Sequence, residues 1–143
     1  MNDGFKIIIA FVCGFVLAQL IKFLLGLTSG KQRKFMKNFE SAILYLTRSG
    51  GMPSGHAASF VAAVTMIGLT QGIDSPIFAL ALCTTAIVIY DAINVRYAVG
   101  EHGKLLNSLT KRADRVIEGH TPLEALAGIL LGIAVGFAVF AIF

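Results

Sequence analysis

Four apolar stretches, each close to the length of a membrane helix, dominate this chain. They run over residues 5–27, 54–73, 76–95 and 121–143. A helix needs about 20 apolar residues to cross the hydrocarbon core of a bilayer. Hydrophobic residues make up 56% of the 143 positions and charged residues only 14%, which excludes an ordinary soluble domain. The sequence therefore predicts an all-α polytopic membrane helix bundle of about four transmembrane helices, folded as one domain over residues 1–143.

Basic residues are concentrated in two of the three connections between these stretches. Five lie between the first two spans and five between the last two, whereas the middle connection, TQGIDS, has none. With four spans both basic connections lie on one face, which the positive-inside rule makes cytoplasmic, with both termini outside. Basic connections also attract anionic membrane lipids. We expect an integral protein of a bacterial-type inner (plasma) membrane, with no nucleic-acid partner.

Three smaller features bear on how the helices lie. The segment NFESAILYLT, residues 38–47, is too short to span and predicts an interfacial or re-entrant helix. Lys22, near the end of the first span, is expected to extend its ammonium to the membrane interface. Gly128, Gly132 and Gly136 form a stripe that lets another helix approach closely, either within the chain or across a homodimer.

The segment RSGGMPSGH combines a helix start with residues that suit an anion. Ser54 is a plausible N-cap, and the free N–H groups of such a start bind anions. Gly55 lets the backbone approach a ligand closely, and His56 could donate a proton to the group that carries the anion. The alternative is a Gly-Pro turn capped by serine, with His56 merely at the interface.

The segment EGHTPLEALAG begins the last span. Thr121 and Glu124 form a capping box, and Pro122 takes the favoured first helical position. His120 precedes the helix, where the positive end of the dipole disfavours protonation and keeps the imidazole neutral, as a nucleophile requires. Glu124 either caps the backbone or accepts the other N–H of His120 and sets its tautomer; the sequence leaves both open.

A third polar patch follows the third span. Asp91 lies late in that span, where a carboxylate predicts a partner such as Arg96. Arg96 could bind a phosphate with its planar guanidinium, or could simply mark the interface. Two histidines at helix starts, with arginines nearby, form a constellation for phosphoryl transfer. No cluster has metal-ligand spacing, so we expect no metal and no cofactor.

These motifs are similar to those of a known family. PSGH at 53–56, Arg96, and GHTPLEALAG at 119–128 together resemble the second and third signatures of the type-2 phosphatidic acid phosphatase superfamily, which is related to vanadium haloperoxidases. The blocks GGMPSGHAA, YDAINVR and GHTPLEALAGILLG resemble its divergent membrane branch more closely.

The resemblance implies a role for each matching residue. His120 would be the nucleophile that forms a phosphohistidine, Glu124 would orient it, and His56 would protonate the leaving oxygen. Three further residues would bind the phosphate: Ser54, Gly55 and Arg96. The family needs no metal.

The chain also departs from the family pattern. The first signature, a lysine followed by Arg-Pro, is absent. Its charge has three candidate replacements, of which we favour the last because it adjoins the loop: Lys31, Lys34 and Arg48. The gap from Arg96 to His120 is longer than in the family. His102 has the expected spacing from Arg96, but Leu106 then stands where an acid should.

The resemblance implies a metal-independent membrane phosphatase that hydrolyses a phosphate or diphosphate monoester of a lipid. Candidate substrates are polyprenyl phosphates or diphosphates, phosphatidic acid and phosphatidylglycerol phosphate, and transfer to an acceptor other than water stays open. The alternative is a catalytically inert membrane protein that binds anionic lipid or scaffolds partners, which the missing first signature supports. A transporter is disfavoured because the polar groups lie at helix ends and not at the midplane.

Overall fold

The computed structural model describes residues 2–28, 51–111, 116 and 119–143. Over these ranges the chain forms helices and no strand: α1 (Asp3–Thr28), α2 (Gly55–Gln71), α3 (Pro76–Tyr90), α4 (Arg96–Thr110) and α5 (Pro122–Ile142). A π-helical turn, Asp91–Val95, joins α3 to α4 without a break. The predicted short helix at 38–47 lies outside the described residues.

Within the described ranges, three helical stretches are long and apolar enough to cross a bilayer: α1, the continuous helix Pro76–Thr110, and α5. α1 and α5 coincide with the first and last predicted spans. The third helix does not end at 95 as predicted; it has 35 residues, because the π turn continues the backbone hydrogen bonding into α4. α2 has 17 residues, or about 25 Å of helix, which is shorter than the predicted second span.

α2 is the central helix of the bundle and packs against α1, α3 and α5. Small residues make this close packing achievable. A Cβ added at Gly14 of α1 would lie 2.7 Å from the carbonyl oxygen of Ala58, so the two helices meet through backbone. The buried face of α1 repeats every four residues along that contact: Ala10, Gly14, Ala18, Lys22 and Gly26.

The predicted glycine stripe of α5 contacts α2 of the same chain. A Cβ at Gly128 would lie 2.5 Å from the carbonyl oxygen of Ser54, and one at Gly132 would lie 2.6 Å from that of Ala58. A Cβ added at Gly136 would lie 2.6 Å from Thr65 Cβ. Of the two alternatives left open by the sequence, packing within the chain is observed; the homodimer stays a prediction.

Two hydrogen bonds fix how the helices run. Gln71 Nε2 donates to Asp3 Oδ2 over 2.8 Å, so the end of α2 lies beside the start of α1 and the two are antiparallel. The Ser54 N–H donates to the Glu124 carbonyl over 3.0 Å, so α2 and α5 begin side by side. The end of α1 and the starts of α2 and α5 therefore share one end of the bundle, where the predicted site residues are found.

Candidate active site

The start of α2 has the cap that the sequence predicts. Ser54 Oγ accepts the N–H of Ala57 over 3.4 Å, and Ser54 is fully buried. Gly55 is buried at the first helical position, and His56 follows, half-buried, in the first turn. Capping is the observed role of the Ser54 hydroxyl; phosphate binding by Ser54 and Gly55 stays a prediction.

His120 and Glu124 form the best-defined polar contact of the site. His120 Nδ1 lies 3.1 Å from Glu124 Oε2. Because a carboxylate only accepts hydrogen bonds, Nδ1 carries the proton and Nε2 is left with its lone pair. The same Oε2 accepts the N–H of Thr121 over 3.2 Å, and Thr121 Oγ1 accepts the N–H of Glu124. The sequence left open whether Glu124 caps the backbone or binds His120. In the structure it makes both contacts.

The His120 side chain is held in its neutral form by its surroundings. The residue is only 4% exposed, and this burial lowers the pKa of the imidazole below its usual 6.5. The hydrogen bond to Glu124 opposes the shift without cancelling it, and the charges of Lys22 and Arg96 add to it. A neutral imidazole with a free Nε2 is the form that can act as a nucleophile.

The backbone before α5 is fixed against the π turn. The His120 N–H donates to the carbonyl of Ala92 over 3.0 Å. Gly119 packs against the first residues of α4. A Cβ added at Gly119 would lie 2.6 Å from Tyr97 Cα and 2.7 Å from the carbonyl carbon of Arg96. Only glycine fits there, so the position of His120 depends on residues more than twenty positions earlier in the chain.

The π turn also explains how Asp91 and Arg96 meet. Residues five apart point about 140° apart in an α-helix, in which only positions three or four apart face each other. Here the Arg96 N–H bonds to the Asp91 carbonyl in the wider π pattern, and Arg96 Nε donates to Asp91 Oδ2 over 2.6 Å. The predicted pairing is confirmed. Of the five N–H donors of a guanidinium, the ion pair uses one.

Backbone contacts bring the segments that carry the two histidines and Arg96 together. The N–H of Ser54, two residues before His56, donates to the Glu124 carbonyl, and Gly119, just before His120, packs on the backbone of Arg96 and Tyr97. His102, by contrast, is exposed on α4. The structure thus brings together the two histidines at helix starts and leaves the rival histidine outside.

Lys22 faces the interior of the bundle, which the sequence did not predict. It is only 5% exposed and lies on the buried face of α1. That its ammonium reaches the level of the membrane interface stays a prediction. Its charge interacts with Glu124 and with both imidazoles. The signal was present in the sequence: Lys22 continues the four-residue repeat of small residues through which α1 packs on α2.

The described residues form a polar cavity beside Glu124 and an apolar groove farther along the bundle. A polar cavity of about 170 Å³ is bounded by Thr121, Glu124, Glu101 and Lys104. An apolar groove of about 530 Å³ runs between α2, α3 and α5, from the level of Val61 and Ile129 towards Ile73. Across the described ranges, no group of His, Cys, Asp and Glu could hold a metal ion. Arg48 lies outside those ranges.

Sequence comparison decides the family. The family model of the divergent PAP2 family matches residues 4–135, which include every residue assigned to the site. The chain belongs to the divergent PAP2 family. It is also similar to the uncharacterized membrane protein YuiD of Bacillus subtilis (strain 168), with 31% identity over 109 residues that cover 62% of this chain and 69% of YuiD. No solved structure matches the chain. A relative that is named as a membrane protein agrees with the helices of membrane-spanning length and composition found here.

Proposed function

We propose that this chain is a metal-independent membrane phosphatase that hydrolyses a phosphate or diphosphate monoester of a lipid. The observation that carries the proposal is the His120–Glu124 pair, 3.1 Å apart, in which His120 is buried. The start of α2, which carries His56, is hydrogen-bonded to Glu124 through Ser54, and Gly119 packs on the backbone of Arg96. Phosphoryl transfer through a histidine requires four groups: a nucleophile, a carboxylate that orients it, a proton donor, and a cationic group such as a guanidinium that binds the phosphate. Membership of the divergent PAP2 family supports the same reaction class.

The reaction proceeds in two displacements. Nε2 of His120 attacks phosphorus while the bond from phosphorus to the lipid oxygen breaks, and His56 gives its proton to that oxygen. Glu124 stabilises the positive charge that develops on the imidazole. Water then attacks the phosphohistidine, His56 takes the proton of the water, and inorganic phosphate leaves with His120 restored. Arg96, the start of α2 and Arg48 would hold the phosphoryl oxygens.

The apolar groove supports a lipid substrate. It is lined by side chains of α2 and α5, the helices whose first turns contribute His56 and stand beside His120. Its first lining residue on α2, Val61, is five residues or about 7.5 Å along the helix from His56, a distance that the hydrocarbon tail of a lipid held by its phosphate between the histidines would span. Polyprenyl phosphates or diphosphates, phosphatidic acid and phosphatidylglycerol phosphate all satisfy this arrangement.

The proposal includes four membrane spans, with α2 as the fourth. The antiparallel order of α1 and α2 and the common end of α2 and α5 agree with that topology. The positive-inside rule then places the site on the cytoplasmic face and both termini outside. A Lys111→Cys variant should resist an impermeant thiol reagent in intact cells and react after permeabilisation; labelling in intact cells would reverse the orientation.

The decisive experiment measures phosphate release by the purified protein from a panel of these lipids in excess chelator. His120→Ala should abolish release, whereas the matched variant His102→Ala should leave it unchanged. The phosphorylated intermediate should be trapped by rapid quench in alkali, where phosphohistidine is stable. No release from folded protein on any lipid would favour the inert, anionic-lipid-binding alternative. Release that survives in His120→Ala and is lost in His102→Ala would transfer the nucleophile to His102.

A further inference from the structure

We propose that Gly68 of α2 and Phe78 of α3 set the length of the hydrocarbon chain that the apolar groove accepts, and so act as specificity determinants for the substrate. This inference rests on the proposed function, because it takes the occupant of the groove to be the chain of a lipid held by its phosphate between the histidines. The two residues lie at the end of the groove that is farther from the histidines.

The groove lies between two helices that both pack on a third. α3 and α5 each pack on α2, and their side chains form the two walls. α2 forms the floor from Val61 to Leu69, which is eight residues or about 12 Å of helix. The lining side chains are mostly those of isoleucine, leucine, valine and phenylalanine. Such a lining suits a hydrocarbon chain and offers little to a polar ligand.

The turn that joins α2 to α3 closes the end of the groove farther from the histidines. It consists of residues 72–75 and is held by the N–H and Oγ of Ser75, which donate to the carbonyl of Gly72 over 3.3 and 2.7 Å. Beside this turn the ring of Phe78 lies on α2, because a Cβ added at Gly68 would be only 3.0 Å from Phe78 Cε2. A chain that follows the groove away from the site therefore meets the Phe78 ring.

The depth and the volume of the groove both fit one acyl chain. Gly68 lies twelve residues, or about 18 Å, along α2 from His56. One leaflet of a bilayer has a hydrocarbon depth of about 15 Å. A methylene group takes about as much room as a water molecule, ~30 Å³, so the groove of about 530 Å³ holds about 18 carbons. A long polyprenyl chain would have to turn out of the groove into the bilayer, so among the candidate lipids the groove favours those with acyl chains.

The test compares single-chain alkyl phosphates of increasing length as substrates of the purified protein in nanodiscs, each at the same mole fraction in the bilayer. In the unmodified protein kcat/KM should rise up to about 18 carbons and then fall. Phe78→Ala removes the ring that closes the groove, so the optimum should move to longer chains. Ala86→Leu adds bulk to an exposed position on the α3 wall and should move the optimum to shorter chains.

Two matched variants separate these effects from general changes in the bundle. Phe5→Ala removes an exposed ring from α1, whose start lies at the same end of the bundle as Phe78 but does not line the groove. Ala138→Leu adds the same side chain as Ala86→Leu to an exposed position of α5 outside the groove. Neither control should move the optimum. An unchanged optimum in folded Phe78→Ala or folded Ala86→Leu protein would overturn the proposal.

A second measurement does not depend on hydrolysis. An alkyl phosphonate, whose carbon–phosphorus bond a phosphatase does not cleave, is given a photoreactive diazirine at the end of a chain of about 18 carbons. Peptide mapping after irradiation should find the label near Leu69 and Phe137, and with a chain half as long it should find the label near Val61 and Ile129. Label confined to α1 would overturn the proposal.

The two measurements also separate this inference from the proposed function. Labelling of the groove at a depth that follows chain length, in a protein that hydrolyses no lipid, would retain the role of the groove and refute the phosphatase. Hydrolysis with the same kcat/KM at every chain length would retain the phosphatase and refute the role of Gly68 and Phe78.

Discussion

His120 Nδ1 and Glu124 Oε2 lie 3.1 Å apart, and the same oxygen closes the capping box of α5. Glu124→Gln separates these two tasks, because glutamine still caps a helix start but carries no charge. We expect kcat to fall about 10²–10⁴-fold, as when the carboxylate behind a catalytic histidine is neutralised. The melting temperature should stay near that of the unmodified protein.

Glu124→Ala is the companion variant for this prediction. It removes the hydrogen bond from the Thr121 N–H to Glu124, one half of the capping box, as well as the charge, so the free energy of unfolding should also fall by about 1 kcal/mol. Thermal unfolding and steady-state hydrolysis of the best lipid phosphate measure both effects. Full activity in Glu124→Gln would mean that the contact is structural only.

The lowered pKa of His120 predicts where activity is lost in acid. Burial is the main cause of the shift, so the imidazole stays neutral to lower pH than an exposed histidine. The acid limb of kcat/KM should therefore have its midpoint below pH 6.5. A profile measured from about pH 4.5 to 8 checks this. A midpoint above 6.5 would contradict a neutral, buried nucleophile.

The same shift predicts acid sensitivity of the fold. Above pH 6.5 the imidazole is neutral in both the folded and the unfolded chain, so it adds no pH dependence. Between 6.5 and the lower folded pKa, only the unfolded chain takes up the proton, and the free energy of unfolding falls as pH falls. His120→Gln should lose less melting temperature over this window than the unmodified protein. Identical losses would assign the acid sensitivity to other groups.

Gly119→Ala should displace His120 without touching its side chain. The new methyl group would lie 2.6 Å from Tyr97 Cα, and backbone on both sides resists movement. We expect about 1–3 kcal/mol of lost stability and a large loss of activity. Gly4→Ala is the control, because its methyl would meet only Asn2 Oδ1 at 3.5 Å. Normal activity in Gly119→Ala would show that the loop relaxes freely.

The sequence predicts those parts of the site that depend on local signals. Ser54 and Thr121 cap their helices as expected, because an N-cap is decided by a few neighbouring residues. The π turn has no such signal, and it shows only as an Asp91–Arg96 pair at a spacing that an α-helix does not bring together. The inward direction of Lys22 depends on which face of α1 packs against α2, which is a tertiary property.

Asp91 is expected to position Arg96 for the substrate and to contribute little to stability. Both side chains are about 40% exposed or more, and such ion pairs contribute roughly 0–1 kcal/mol. Asp91→Asn should therefore leave the melting temperature nearly unchanged and raise KM several-fold, with a smaller change in kcat. Asp74→Asn is the control, because it neutralises an exposed carboxylate just before the other end of the same continuous helix. Equal KM values in both variants would show that Asp91 does not position Arg96 for substrate binding.

Packing of the glycine stripe within the chain and packing across a homodimer have different effects on stability. Gly132→Val would press a branched side chain against the Ala58 carbonyl, where even a Cβ would lie 2.6 Å away. We expect a loss of about 1–3 kcal/mol that does not depend on protein concentration, since α2 of the same chain is the partner. Ala134→Val, on the exposed side of α5, should change stability little. If the stripe instead joined two copies, the melting temperature of the unmodified protein would rise with protein concentration, and Gly132→Val would remove that dependence.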